Sequence, residues 1–594
     1  MKISKVKIEN YRNFENEIIN FNNKTLIIGP NDVGKSNLIR ALRLLLDKSL
    51  SQVDIEPEEK DFNIYTDAGS FKIEIEFDDY DEIKDEHVMA SLGKYFSEDE
   101  KLKLTYIGYR DREETFKIYI GEVEEENEAT SRFYLKAINL VYLNSTRNLV
   151  SYLKKGKERL IRRFKENRTD EQISCDNEKN TQITIERKKM NDLIDSISYV
   201  SDSTNIIKKH LEGISIHNFN NDIKLSVING EENLEKNLEL VAFSNGKNVE
   251  IGGDGRNNQI YLTMWLEDIK YIDETNNQTT FFAIEEPEAH LHPTIQSMTL
   301  RKIIELLESQ LIVTTHSQQI ALEFPPNSII RLYYNKNLKT KVAKKGCSKE
   351  IEEAIVKMAY RNNIINAEMF FADVIFLVEG ISEKMLYQEI SEQLNYNIEK
   401  YNIIILSVEG VGFDIYTQIL DILGIPYVIR TDNDIIRKRN GKFYCSGILR
   451  LTKIYNKYNT KKLENILDDL EEKNLGEEQY NLLQQRKTDL ERLNLYLADI
   501  DLENDLVNLD ANNNILEVVN EIENDKFNKS EIIDYMQEAK GLNMYKIINH
   551  GIDFSFLKDS QLVKPLETCI MLATSEEQEQ IWKKKLNYPQ NRIK

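Results

Sequence analysis

Thr25-Leu26-Ile27-Ile28-Gly29-Pro30-Asn31-Asp32-Val33-Gly34-Lys35-Ser36 is the stretch on which the fold turns. Residues 25–28 form a short apolar run stopped by Gly29 and Pro30, the pattern of a buried strand. Residues 36–47 then place Leu38, Ala41, Leu42 and Leu45 at helical positions, which predicts a helix with one apolar face. Between them lies a complete Gly-x-x-x-x-Gly-Lys-Ser loop, in the strand–loop–helix setting that a P-loop requires. Its glycines let backbone N–H groups wrap phosphates, Lys35 reaches the β- and γ-phosphates, and Ser36 ligates Mg²⁺. Gly29, Asn31, Gly34, Lys35, Ser36 and Asn37 are the expected nucleotide-binding set, with ATP and Mg²⁺ as the expected cofactor. Upstream, Ile3, Val6 and Ile8 mark residues 1–10 as a strand rather than the apolar core of a signal peptide.

Downstream, Phe281-Phe282-Ala283-Ile284-Glu285-Glu286-Pro287-Glu288 reads as a buried strand ending in two adjacent acids. Glu285 is placed to hold Mg²⁺, directly or through water, and Glu286 to polarise the attacking water. Residues 311–315 form a further apolar strand ending in His316-Ser317. A lone histidine is more often structural, but one that follows these two motifs in this order is placed to sense the γ-phosphate. His290 and His292 read as packing and capping the loop after the acidic strand rather than as a metal pair.

A second chemistry begins at Val374-Ile375-Phe376-Leu377-Val378, a continuous apolar run ending in Glu379-Gly380, with Ser382-Glu383 opening a helix. Residues 403–406 form another strand, leading to Gly410-Val411-Gly412, and residues 427–429 a third, ending in Thr431-Asp432-Asn433-Asp434. Carboxylates at strand ends face the crevice where open α/β sheets bind ligands. Two acids one residue apart on extended chain project to the same side, and hard oxygen donors suit Mg²⁺ or Mn²⁺. Taken alone, Glu383 also fits an exposed helix face, Glu503 and Asp505 ordinary surface acids, and Lys540 a surface lysine. Residues 461–497 repeat leucine at helical spacing (Leu463, Ile466, Leu467, Leu470; Leu483, Leu490, Leu493, Leu497), which predicts an inserted helical hairpin.

The region through the P-loop, with Ile8-Glu9-Asn10-Tyr11-Arg12-Asn13-Phe14 ahead of it, resembles the ABC-type ATPases of the SMC/RecF group. Glu285-Glu286-Pro287-Glu288-Ala289-His290-Leu291-His292-Pro293 is similar to their Walker B and D-loop, and His316 to their switch histidine. The resemblance implies a Gly-rich signature from a second protomer. Gly252-Gly253-Asp254-Gly255-Arg256 is the candidate, although it departs from Ser-Gly-Gly, and Glu285 replaces the usual aspartate. Both departures bear on hydrolysis more than on binding. The acid–Gly strand followed by Asp-x-Asp resembles the Toprim fold. Residues 368–383, the acidic stretch 499–506 and the segment 535–544 are together similar to the OLD (overcoming lysogenization defect) family of nucleases, within it to the nuclease subunits of Gabija anti-phage systems. That resemblance implies metal binding by Glu379, Glu383, Asp432, Asp434, Glu503 and Asp505, and stabilisation of the scissile phosphate by Lys540. It also implies a homo-oligomer, dimer or tetramer, and a UvrD-like helicase partner.

The expected architecture is α/β: an ABC-type ATPase domain over residues 1–365 with a helical insertion at about 145–245, then a Toprim domain over 366–594 with a helical insertion at about 450–498. At 594 residues, 41% hydrophobic and 30% charged, the chain is long enough for several cores. Its four cysteines (Cys175, Cys347, Cys445, Cys569) are too scattered for a zinc module or disulfide framework and fit thiols of a reduced cytoplasm. The net charge of −22 hides segregated cations. One run holds Lys154, Lys155, Lys157, Arg159, Arg162, Arg163, Lys165 and Arg168, beside a stripe of Leu149, Leu153, Leu160 and Phe164; it fits a dimerisation or DNA-contacting arm, or a plain structural one. Lys336, Lys339, Lys341, Lys344 and Lys345 form a second run. Arg430, Arg437, Lys438, Arg439 and Lys442 surround the Asp432/Asp434 pair and suit a polyanionic substrate. The expectation is a nucleotide-controlled, Mg²⁺-dependent endonuclease acting on double-stranded DNA. The alternative is a RecF-like DNA-binding ATPase clamp whose Toprim domain is inert. No winged-helix segment suggests a topoisomerase, and no Cys/His module a primase.

Overall fold

The computed structural model describes residues 1–110, 113–144, 161–162, 164–202, 205, 242–244, 247–249, 278–289, 293–335, 339–348, 367–409, 412–458, 463 and 476–574. Gly252 to Arg256, His290, His292, Gly410, Val411, Leu149, Leu153, Leu160, Ile466, Leu467, Leu470, Lys336 and Lys154, Lys155, Lys157, Arg159 and Arg163 of the first basic run lie outside the described residues. The chain groups into two compact units, one spanning Met1–Leu143, Asn277–Pro287 and Glu308–Lys594, the other Asn144–Asn276 and Glu288–Leu307.

The first unit opens with strands β1 (Lys2–Tyr11), β2 (Phe14–Asn20), β3 (Lys24–Ile28), β4 (Ser70–Asp78), β5 (Leu102–Tyr109), β6 (Phe116–Ile120) and β7 (Ile138–Leu143). In the second unit β8 (Ala242–Ser244) and β9 (Lys247–Val249) pair antiparallel, and Thr169 caps the long helix Asp170–Asp195. That helix leaves Ile173, Ile183, Ile185, Met190 and Leu193 exposed.

Sheet one is antiparallel in the order β2-β1-β4-β5-β6. A bulge between Ile3 and Lys5 shifts the register, so Ile3 and Val6, three apart, both turn inward. Sheet two is completed by β10 (Thr279–Glu285), β11 (Leu311–Thr314), β12 (Ile329–Tyr334) and β13 (Thr340–Val342) in the order β13-β12-β3-β11-β10-β7, with every pair parallel except β12/β13. Its inner strands are apolar throughout because both faces are covered. The helix after the P-loop is Lys35–Leu46, and Leu38, Ala41, Leu42 and Leu45 are fully buried in the core shared with sheet one.

Sheet three contains β14 (Val374–Val378), β15 (Ile403–Ser407), β16 (Tyr427–Thr431) and β19 (Leu495–Leu497), parallel in the order β15-β14-β16-β19. Between β16 and β19, β17 (Ile435–Arg437) and β18 (Phe443–Cys445) form a hairpin, and Ser446–Tyr458 and Glu477–Glu491 are helices. The leucine spacing predicts helix through Leu497. Instead, the helix stops at Glu491 and Leu495–Leu497 crosses into the sheet as β19. Three residues are too few to show a period of two, so the leucines mimic helical spacing.

Candidate nucleotide and metal sites

Sheet two aligns the nucleotide motifs. β3 lies beside β11, which lies beside β10, all parallel, so the P-loop, His316 and Glu285 leave neighbouring strands at the same sheet edge. That edge is where open parallel sheets hold ligands. Gly34 takes φ +108, and a Cβ there would sit 2.4 Å from the Asn13 amide. Asn13 donates to the Val33 carbonyl at 2.8 Å and accepts from Asn37 at 2.8 Å, while Arg12 bonds Asn37 and pairs with Asp61. The loop is therefore braced by Arg12 and Asn13 of the turn between β1 and β2. Lys35 is buried and its ammonium reaches the Gly29 and Pro30 carbonyls at 2.9 and 2.8 Å; Asn31 and Ser36 are exposed.

Glu285 is buried, and the Tyr142 hydroxyl donates to its Oε2 at 2.6 Å. Burial and the neighbouring carboxylate hold that phenol well above its ordinary pKa. The Arg43 guanidinium lies 3.8 Å from the Tyr142 ring centroid. Glu286 has φ +46, a conformation rarely adopted by a side-chain-bearing residue, which turns the second acid out of the strand. His316 Nε2 approaches Glu286 Oε1 at 3.7 Å. Burial lowers the His316 pKa, and Lys35 lowers it further against the pull of Glu286, so the neutral ring is favoured. Tyr142 carries no sequence motif. Only its position on β7, the strand beside β10, marks it.

Sheet three delivers the acids. β14, β16 and β19 are adjacent and parallel; Glu379 follows β14, Asp432 and Asp434 follow β16, and the turn after β19 leads to the helix Leu502–Leu509 bearing Glu503 and Asp505. Glu383 lies in the first turn of Ile381–Gln393 and accepts the Gly380 N–H at 2.9 Å. It is 5% exposed and Glu503 1%, so neither is an ordinary surface acid. Lys540, at the start of the helix Lys540–Asn549, reaches Glu503 Oε2 at 3.3 Å and Asp432 Oδ2 at 3.6 Å. Glu379, Glu383, Asp432, Asp434, Glu503 and Lys540 thus meet at one sheet end from separated segments.

Two arginines complete the charge balance. Arg450 spans Glu379 Oε1 and Asp434 Oδ2, each at 2.9 Å, and Arg430, fully buried, spans Asp432 at 3.5 Å and Asp505 at 3.1 Å. The two aspartates of the Asp-x-Asp therefore face different cations. Burial works to raise the Glu379 pKa, but Arg450, Thr431 and the Asp432 N–H outweigh it and hold the carboxyl below the ordinary range. Burial raises Glu383, Glu503 and Asp505, and pushes Asp432 up to about 8. Burial opposes the Lys540 charge, yet Glu503 and Asp432 raise its pKa. The basic cluster around the acids pointed to Arg430. Arg450 had no sequence signal, being one basic residue on the helix Ser446–Tyr458.

No three carboxylates converge on one point among the described residues. The donor set nonetheless fits a hard divalent cation. Buried Glu383 Oε1 has no hydrogen-bond partner, and buried Glu503 Oε2 meets the Lys540 ammonium without hydrogen-bond geometry. A buried carboxylate oxygen left unpaired, as Glu383 Oε1 is, is costly unless a cation answers it.

Residues 1–321, over half the chain, match the AAA ATPase domain family, and residues 370–434 match the Toprim domain of overcoming lysogenization defect protein-like chains. Endonuclease GajA of Bacillus cereus (strain VD045) is 25% identical over 588 residues, covering 93% of this chain and 95% of its own. The Old nuclease of Escherichia phage P2 is 27% identical over 195 residues, 31% of this chain and 33% of its own. The C-terminal region of the Burkholderia pseudomallei OLD protein superposes with a TM-score of 0.26 at 19% identity, covering 34% of this chain and all of that one. The chain belongs to the AAA ATPase domain family and, with an OLD-like Toprim domain following that ATPase, is an OLD-family ATPase–Toprim protein.

Proposed function

We propose that this protein is a nucleotide-regulated, Mg²⁺-dependent endonuclease that nicks or cleaves double-stranded DNA in bacterial anti-phage defence. The observation that carries the reading is the meeting of buried Glu383, Asp432 and Glu503 from separated segments, with Glu383 Oε1 unanswered, beside Lys540. The similarity to GajA and to the phage P2 Old nuclease supports it.

Glu379, Glu383, Asp432, Asp434 and Glu503 are the residues that would hold Mg²⁺ or Mn²⁺, and Asp505 joins them through Arg430, which it shares with Asp432. The bound ions supply an activated water and Lewis acidity toward the phosphodiester. Lys540, half exposed and raised in pKa, remains charged and places an ammonium where negative charge grows on the phosphate. Arg450, freed from the acids it bridges, is the second cation in reach of that phosphate.

At the other site, Gly29, Asn31, Gly34, Lys35, Ser36 and Asn37 take the ATP phosphates. Glu285 would hold Mg²⁺, Glu286 would orient the water, and His316 would report the γ-phosphate. Bound nucleotide regulates cleavage through different affinities for two states of the chain. The protein works as a homo-oligomer with a UvrD-like helicase partner, a reading that rests on the family resemblance.

The Arg450 and Lys540 bridges favour one rival reading, a DNA-binding ATPase clamp whose acids are permanently paired with cations. Supercoiled plasmid incubated with Mg²⁺ or Mn²⁺, with and without ATP, separates the two. Nicked or linear product from the wild type, lost in Glu379→Ala and altered in its ATP response in Lys35→Ala, is the expected result. Undiminished cleavage by Glu379→Ala would sink the assignment, and DNA binding without cleavage under every condition would favour the clamp.

A further inference from the structure

The hairpin of β17 and β18 lies between Asp434 and the helix Ser446–Tyr458. Residues 435–445 read Ile-Ile-Arg-Lys-Arg-Asn-Gly-Lys-Phe-Tyr-Cys, four cations and no acid, in a chain of net charge −22. The hairpin base is fixed to the centre on both sides. Ile435 follows Asp434 directly, Cys445 is fully buried, and the Ser446 N–H donates to the Asp434 carbonyl at 2.9 Å. The strands pair Ile435 with Cys445, Ile436 with Tyr444 and Arg437 with Phe443. The turn closes through the Lys438 N–H on the Lys442 carbonyl and the Gly441 N–H on the Lys438 carbonyl, with Gly441 at φ +84.

This closure sets Lys438 and Lys442 opposite each other, and like charges facing across a strand pair destabilise it. Lys438 leans over the Tyr444 ring, 4.9 Å from its centroid. Arg437, Arg439 and Lys442 are exposed and pair with no carboxylate among the described residues, although the chain carries 100 Asp and Glu. Elsewhere its cations are repeatedly matched, as Lys5 and Lys101 are by Glu76, and Lys117 by Glu114 and Glu128. Three exposed cations, Arg437, Arg439 and Lys442, clustered without a carboxylate beside a candidate catalytic centre point to an anionic ligand.

We infer that this hairpin is a phosphate-gripping arm that holds the backbone of duplex DNA beside the acidic centre and fixes the register of the cut. The inference rests on the endonuclease reading and adds the element that seats the substrate. Three strand residues at about 3.3 Å each put the tip about 10 Å beyond Asp434. At about 3.4 Å of rise per nucleotide of one strand, the cations meet phosphates about three nucleotides from the scissile one. The arm reads backbone charge and not sequence, since guanidinium and ammonium groups on phosphates position a protein without reading bases.

The test uses the full-length protein and the triple variant Arg437→Gln, Arg439→Gln, Lys442→Gln, whose exposed positions leave the core untouched. Binding of a labelled DNA duplex is titrated with Ca²⁺ in place of Mg²⁺ over a series of salt concentrations, beside plasmid nicking in Mg²⁺. The expected result is a melting temperature like that of the wild type, duplex binding weaker by about tenfold or more at 150 mM salt, and a log–log salt slope shallower by about three, one for each phosphate that the variant no longer neutralises. Unchanged affinity and slope in the variant, with a wild type that nicks, would overturn the arm and leave the endonuclease reading intact. A wild type that neither binds nor nicks duplex DNA would overturn both. Loss of binding to single-stranded RNA with duplex binding unaffected would overturn the choice of ligand.

Discussion

His316 and Tyr142 lie against the two acids that end β10, His316 beside Glu286 and Tyr142 on Glu285. His316 lies beside Glu286 at 3.7 Å, and its pKa is lowered by burial and by Lys35. Because the shift is downward, the neutral ring dominates at neutral pH and persists below the ordinary histidine range. ATP hydrolysis should hold level as pH falls from 8 to about 6.5 and decline only below that. His316→Asn should lower hydrolysis at neutral pH and remove the acid limb. A limb centred above pH 7, or one unchanged in His316→Asn, would exclude His316 as its source. Tyr142 donates its hydroxyl to Glu285, and a hydrogen bond to a charged group contributes roughly 1.5–3 kcal/mol. Tyr142→Phe should therefore slow hydrolysis about tenfold while leaving KM for ATP nearly unchanged. A rise in KM with kcat intact would instead assign the pair to ground-state binding.

The elements around the acids were legible in proportion to their length and periodicity. β3, β10, β14 and β16 each carry a run of apolar residues ending in a chemical motif, the helix Lys35–Leu46 begins in one, and both ends of that pattern survive in the fold. β19 was not legible, because three residues give a strand no pattern, yet its pairing with β16 carries the turn that leads to Glu503. Arg450 was hidden for another reason: it acts through distance in space, bridging Glu379 and Asp434 from 71 and 16 residues away. Gly447 is of the same kind. A Cβ there would lie 1.9 Å from the Asp432 carbonyl oxygen, so the helix Ser446–Tyr458 can start against the acid loop only with glycine at its second position. Gly447→Ala should push that loop outward. The expected effects are a loss of about 1–3 kcal/mol in stability, as for other overpacked sites, and a weakening of Mn²⁺ binding larger than that of an exposed alanine substitution on the same helix. Wild-type Mn²⁺ affinity in a folded Gly447→Ala protein would show that the close approach does not hold the acids in place.

At the scale of the molecule, the proposed nucleotide control requires a physical link between Lys35 and Glu379. β12 pairs with β3 in the register that sets Arg331 against Ile28, the residue before the P-loop. Arg331 is buried, and its guanidinium donates to the Ala372 carbonyl at 3.0 Å and lies 3.6 Å from Asp373, one residue before β14, which ends at Glu379. Burial lowers the Arg331 pKa and Asp373 works against that, as befits a cation placed for a specific contact rather than for solubility. The P-loop strand and the acid-bearing strand are thus joined through one side chain. Spatial continuity alone does not establish coupling; coupling is a free energy shared between two sites. Arg331→Met keeps the apolar stem and removes the donor, leaving the Ala372 carbonyl unanswered at a cost of about 1–3 kcal/mol. If the contact transmits the nucleotide state, the variant should bind ATP and cleave in its absence much as the wild type does, while the change that ATP makes to the cleavage rate shrinks toward none. An undiminished ATP effect in a folded Arg331→Met protein would assign the coupling to another contact, and loss of cleavage without ATP would show that Arg331 supports the acidic centre itself.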